Sequence, residues 1–224
     1  MEKKLSNTAP ISSEARAQIY GLLTRIFAKE IDKQFLQELR SKEFRESLTG
    51  LGANLGDSFY EVPEMELLEN LAVEYARLFL GPDKPISPHE SVHHQREDGD
   101  WGSLWGKDTV EVKKIIESSG LNLKAELNDI PDHLAVELEF LQKLILQETE
   151  NRHTNDLKGM HRCIKLETQF IQEHLAPWVP EFCELVIKKS QIAFYSQIAE
   201  ITKNFVLYEK ENLENSAYYQ QEEG

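Results

Sequence analysis

Apolar residues along this chain recur at intervals of three and four and almost never in strict alternation, a spacing that predicts a nearly all-helical protein. Ile19, Leu22, Leu23, Ile26 and Phe27 form one stripe behind the start signal Ser12/Ser13. Asp32 is placed to cap a second helix carrying Phe35, Leu36, Leu39 and Phe44, and "TGLGANLGDS" then interrupts with three glycines. Pro63 opens a stronger helix in which Leu68, Leu71, Ala72, Tyr75, Leu78 and Phe79 share a face. Gly81 and Pro82 stop it.

The segment 81–106, "GPDKPISPHESVHHQREDGDWGSLWG", holds three prolines, four glycines and three histidines and has no helical period. Loops of this length inside a compact chain are usually functional or disordered. Trp101 and Trp105 argue for order. Helix resumes at "DTVE", where Asp108 and Glu111 spell an acidic capping box, and Gly120 ends it. After the linker "LNLKAELNDI", a helix from Pro131 carries Leu134, Leu138, Leu141 and Ile145. Another is expected from Thr154 through Ile171 until "APWVP" breaks it, and a last long one from Phe182 to Phe205. The remaining "YEKENLENSAYYQQEEG" has no stripe and is expected to be mobile.

Composition narrows the partners. The 224 residues carry 39 acidic against 25 basic side chains, a net charge of −14, without a basic cluster, so nucleic acid and anionic membrane are not expected as partners. Cys163 and Cys183 lie apart with no CxxC and read as small core residues in a reducing compartment. The first residues contain no signal-peptide pattern, and nowhere do eighteen apolar residues run together, so no membrane insertion and a cytoplasmic location are expected.

Candidate chemistries fail one by one. Di-iron helical bundles use Glu-x-x-His on two helices, and the chain spells this twice, at Glu90-Ser-Val-His93 and Glu150-Asn-Arg-His153. The first falls in the proline/glycine loop, where residues three apart need not share a face, and the second at a helix end beside Arg152. His89, His93 and His94 lack a zinc-site spacing and read as solvated loop histidines. "GKDTVEV" lacks the first glycine and the Ser/Thr of a phosphate loop. Asp132 and His133, adjacent at a helix start, point about 100° apart and do not face each other as a catalytic pair. No catalytic residue, metal or cofactor is therefore assigned. The simplest role for Asp132 is to satisfy the positive end of its helix.

Several segments in order resemble the TorD/DmsD family of redox-enzyme maturation chaperones: "EYARLFLGP" at 74–82, "PHESV" at 88–92, "LWG" at 104–106, "PDHLAVELEFL" at 131–141 and "EHLAPWVPEFCELVIKKSQIAFYSQIAEIT" at 173–202. The resemblance covers most of residues 15–205. It implies an all-α helical bundle of two lobes joined by a hinge: a first lobe over 1–120, the hinge at 121–130, a second lobe over 131–207 and a tail over 208–224. It also implies a role, holding the twin-arginine leader peptide of an immature molybdoenzyme catalytic subunit until its cofactor is loaded. Domain-exchanged homodimers occur in the family, and 121–130 is where exchange would run here.

Under that resemblance, Asp132, Asp129 and Glu126 are the expected carboxylates for the arginines, with His133 beside them to tune the pocket's charge near neutral pH. Ser91 belongs to the same set through "PHESV". Tyr75, Leu78 and Phe79, with Trp101, Leu104 and Trp105, are expected to line an apolar groove, and Trp178 to lock the bend before the last helices. One departure stands out: the family often has Glu-Pro ahead of the Asp-His pair, whereas this chain has Asp129 and Ile130, with the proline at 131. The competing reading is a helical-bundle oxidoreductase with a di-iron-like centre, which stoichiometric iron or manganese in the purified protein would mark.

Overall fold

The computed structural model of the chain describes residues 11–82, 84–95, 101–123 and 130–215. Among them are eleven α-helices, two π-helical turns and two isolated bridges, with no strand, in agreement with the all-α expectation. In order these are α1 (Ser13–Ala28), α2 (Lys33–Leu39), α3 (Lys42–Gly50), α4 (Asp57–Glu61), α5 (Glu64–Tyr75), α6 (Glu90–His93), α7 (Lys107–Ser119), α8 (Leu134–His153), α9 (Leu157–Phe170), α10 (Val179–Lys189) and α11 (Ala193–Asn215). The π-turns, Ala76–Leu80 and Ile171–Leu175, extend α5 and α9.

Local signals set most boundaries. Ser12 Oγ accepts from the Ala15 amide at 3.2 Å and Asp32 Oδ1 from Phe35 at 2.8 Å, the caps read from the sequence. The helix expected from Asp32 to Phe44 is two helices, because Ser41 caps a new start by accepting from the Phe44 amide at 3.2 Å. Asp156, accepting from Gly159, starts α9 at Leu157 rather than at Thr154. Gly120 ends α7 with φ +75°, a conformation that suits glycine.

The spine is α8, which packs against both α1 and α9. Residues 132–141 are buried without interruption, so its first turns are covered on every side. The apolar stripe Leu134, Leu138, Leu141, Ile145 marks only one of those sides. On α1 the buried face is Tyr20, Leu23, Ile26 and Phe27, whereas Ile19 and Leu22 are only half-buried. Phe182 of α10 sits among Phe27, Phe79 and Trp178 with ring centroids 5.5–6.1 Å apart. A buried phenylalanine so surrounded stabilises the fold by about 3–5 kcal/mol relative to alanine. Cys163 and Cys183 are both free and buried, as expected of core residues. The apolar interior is one connected cluster with contributions from both sides of the 121–130 linker.

The last helix outruns its apolar stripe. Glu209 occupies a buried position beyond Phe205, where Arg16 Nε donates to it at 3.0 and 2.8 Å and the Tyr20 hydroxyl at 3.2 Å. The Arg16 guanidinium also reaches Glu167 at 2.9 Å, so one cation joins α1, α9 and α11. A charged residue in a core position interrupts the hydrophobic period without ending the helix. Residues 216–224 of the expected tail lie outside the described residues. No helix among the described residues is long and apolar enough to cross a membrane.

Candidate functional site

The start of α8 and the short helix α6 are pinned together by main-chain pairing. Leu134 N donates to Pro88 O at 2.8 Å, and Glu90 N donates to Asp132 O at 3.0 Å. His89 and His133 face each other across the resulting bridge, their rings edge to face at 4.9 Å. Asp132 does not cap its own helix. Its side chain is fully buried and Oδ2 accepts from the Ser91 amide of α6 at 2.9 Å, which satisfies a first-turn donor of the neighbouring helix. The cap of α8 is His133, whose Nδ1 accepts from the Ala135 amide at 3.1 Å. That acceptor role requires Nδ1 to carry no proton.

The "PHESV" stretch is therefore a turn of helix, and Glu90 and His93 stand on it rather than in irregular loop. The histidines at and just past it are half-buried and engaged with protein partners rather than free in solvent. His93 donates from Nε2 to Ser87 O at 2.7 Å and stacks on Trp178 at 5.1 Å, and burial holds its pKa below the ordinary range. His94 Nδ1 lies 3.2 Å from Asp108 Oδ1, and that hydrogen bond raises the imidazole's pKa while lowering the carboxyl's. Asp108, expected to form a capping box, thus faces His94 instead, and α7 begins after Gly106 without a side-chain cap.

Beneath α6 lies a buried acid cluster that periodicity did not reveal. Glu90, fully buried, is met by His174 Nδ1 at 3.2 and 3.0 Å from its two oxygens. Burial moves the Glu90 carboxyl up. At His174 burial is the largest single influence and opposes the charged ring, but the hydrogen bond and charge of Glu90, with the charges of Glu173 and Glu111, together outweigh it and raise its pKa. Glu137, in the first turn of α8, is fully buried with neither oxygen in a hydrogen bond. Burial first, then repulsion from Glu90 and Asp132, pushes its pKa well above the ordinary carboxylate value.

The tryptophan loop is anchored to the same helix. Gly102 N donates to His94 O at 2.9 Å, and a Cβ at Gly102 would fall 1.6 Å from Ser91 O, so only glycine allows this approach. Gly106 passes close to the Ser91 side chain. Beside and between these anchors Trp101 (62 % exposed), Leu104 and Trp105 (66 % exposed) face solvent, and Trp105 has φ +66°. A bulky residue in the left-handed region is uncommon and marks a held conformation.

Of the residues singled out from sequence, the structure brings Asp132, His133 and Ser91 together and hangs Trp101 and Trp105 from the same place. Tyr75 and Phe79 lie elsewhere, in the core, Tyr75 with its hydroxyl on Phe27 O at 3.1 Å and Phe79 among Phe27, Phe182 and Tyr195. Glu126 and Asp129 lie outside the described residues. Trp178 is buried at the head of α10, consistent with locking the bend there, and its stack on His93 ties that bend to α6.

The family model described as nitrate reductase delta subunit matches residues 37–184. Proteins named "Chaperone protein TorD" align over nearly the whole chain. One from Vibrio parahaemolyticus is 30% identical over 200 residues, covering 84% of this chain and 90% of the relative. One from Vibrio cholerae is 28% identical over 215 residues, covering 91% and 94%, and one from Aliivibrio salmonicida is 29% identical over 205, covering 87% and 92%. The chain belongs to the TorD/DmsD family of redox-enzyme maturation chaperones. At the α6–α8 junction the polar groups of Asp132 and His133 are taken up by backbone amides.

Proposed function

We propose that the chain is a cytoplasmic chaperone that holds the twin-arginine leader and apo form of a molybdoenzyme catalytic subunit, assists cofactor insertion and delays export. Membership of the chaperone family across most of the chain carries this reading. The exposed Trp101, Leu104 and Trp105 beside the head of α8 support it, since a leader presents an apolar stretch next to its arginines. Glu126 and Asp129, in the linker that leads into α8, are the proposed carboxylates for the guanidinium groups. Asp132, being buried, contributes indirectly by fixing α6, together with Ser91 and His133. Tyr75 and Phe79 hold α5 in the core under this reading. Exchange of helices through 121–130 would give a homodimer carrying two such sites.

Titration of the protein with a leader peptide and with its Lys-Lys counterpart tests the proposal. Loss of bidentate pairing weakens the Lys-Lys peptide by about tenfold, or about 1.4 kcal/mol. Equal affinities, or no binding of either peptide, would reject it. Replacing Trp101 and Trp105 together by alanine is expected to weaken leader binding while leaving the melting temperature in place, because both rings are mostly exposed.

A further inference from the structure

Three side chains at the two ends of the tryptophan loop aim donor atoms at one point. Glu90 stands in α6, His94 directly follows it and Asp108 lies in the first turn of α7, and one ligand atom from each falls within 4.8 Å of the other two. His94 Nδ1 is 3.2 Å from Asp108 Oδ1 and 3.8 Å from Glu90 Oε1. A tetrahedral zinc ion with bonds of about 2.0–2.2 Å separates neighbouring donors by roughly 3.4 Å, so this spacing needs little adjustment.

We infer that Glu90, His94 and Asp108 form a binding site for one divalent transition-metal ion, Zn²⁺ by its chemistry, which closes the base of the loop bearing Trp101 and Trp105. An imidazole with two carboxylates is a zinc-type ligand set, and three protein ligands are too few for calcium. His174 holds Glu90 from behind, as outer partners of ligating carboxylates do. Independently, the Glu137 carboxyl is fully buried, with neither oxygen within hydrogen-bond geometry of a partner. Glu90, Asp108 and Glu137 bring three carboxyls to this corner beside His94 and His174, and a divalent ion would add positive charge among them. His94 and Asp108 are only half-buried, which gives an ion and a water ligand a way in.

The experiment uses full-length protein stripped with chelator and titrated with ZnCl₂ by calorimetry, with Co²⁺ as the spectroscopic probe. The expected result is saturation at one ion per chain, visible Co²⁺ absorption of tetrahedral intensity, and a melting temperature raised by zinc. Asp108→Asn and His94→Gln, each checked for native helix content, should weaken zinc binding at least tenfold and remove the Co²⁺ bands. His161→Ala, at an exposed imidazole on α9, should change neither. Binding that does not saturate at one ion, or that survives Asp108→Asn and His94→Gln unchanged, would overturn the inference. His94 would then be an ordinary partner of Asp108. Should one of the two variants misfold, the other together with the Co²⁺ spectrum of the wild type decides.

Discussion

Replacing Asp132 separates its two candidate duties, capping α8 and fastening α6. In the structure Oδ2 accepts from the Ser91 amide, while the Ala135 amide at the start of α8 is served by His133. Asp132→Ala deletes a charge-assisted bond and leaves a buried N–H unpaired, a cost of about 1.5–3 kcal/mol. Removing a negative charge beside Glu90 and Glu137 offsets part of it. For a chain of this size the net loss lowers the melting temperature by about 3–10 °C. Asp132→Asn keeps an acceptor for Ser91 and loses only the charge assistance, about 1 kcal/mol or less, and should melt within about 4 °C of wild type. Circular dichroism should show helix content preserved in both. Amide hydrogen exchange gives the sharper reading: the amides of Glu90 and Ser91 lose protection in Asp132→Ala, and those of Ala135 and Val136 keep it. Faster exchange at Ala135 with Ser91 unchanged would refute the assignment and return Asp132 to the cap of its own helix.

Three further outcomes are expected. His133→Ala removes the acceptor for the Ala135 amide and should cost about 1 kcal/mol, with His133→Asn recovering much of it, both read by thermal unfolding. Gly102→Ala forces a methyl against Ser91 O and should cost about 1–3 kcal/mol while shifting the emission of Trp101 and Trp105; an unchanged spectrum and melting temperature would contradict the close approach. Burial moves the Glu167 carboxyl up to about 8 from 4.5, against the pull of Arg16, so the folded protein keeps a proton that the unfolded chain releases. The stabilisation from that proton is complete below pH 4.5 and is lost as pH rises through about 8. Glu167→Gln should flatten the fall of stability across this window, and an unaltered slope in chemical denaturation would count against it.

What the sequence discloses is what short-range physics decides. Ser12, Asp32 and Gly120 announce helix boundaries because a cap or a left-handed stop is settled within four residues. On α5 and its π-turn the expected Leu71, Tyr75, Leu78 and Phe79 are buried for the same reason, while Leu68 and Ala72 are only half-buried and Leu67 takes the core side. The one long helix expected from Phe182 to Phe205 is two, α10 and α11. Partnerships between distant residues leave no local trace: His174 meets Glu90 across 84 positions, and Arg16 meets Glu209 across 193. Asp132 misleads because an acid at a helix start has an obvious local use, and only the folded neighbour shows that the use is elsewhere. Glu137 is hidden more thoroughly, since a carboxyl one turn into a helix reads as surface until that helix proves to be buried all round.

The weight that α6 carries follows from its length. Four residues cannot sustain a helix in water, where nucleation alone is unfavourable, so its order comes from attachments to other elements. Asp132 at the head of α8 holds its first turn, His174 of the second π-turn holds Glu90, Trp178 at the start of α10 stacks on His93, and Asp108 of α7 holds His94 just past its end. Each attachment comes from a different part of the chain, and Gly102 hangs the tryptophan loop on the same short piece. The exposed tryptophans are thus positioned largely by residues that lie beneath them, buried or half-buried. A substitution at Asp132 or His174 should disturb the loop's display before it unfolds the bundle, because those bonds set where α6 sits, while the apolar contacts among α1, α8, α9, α10 and α11 hold the fold.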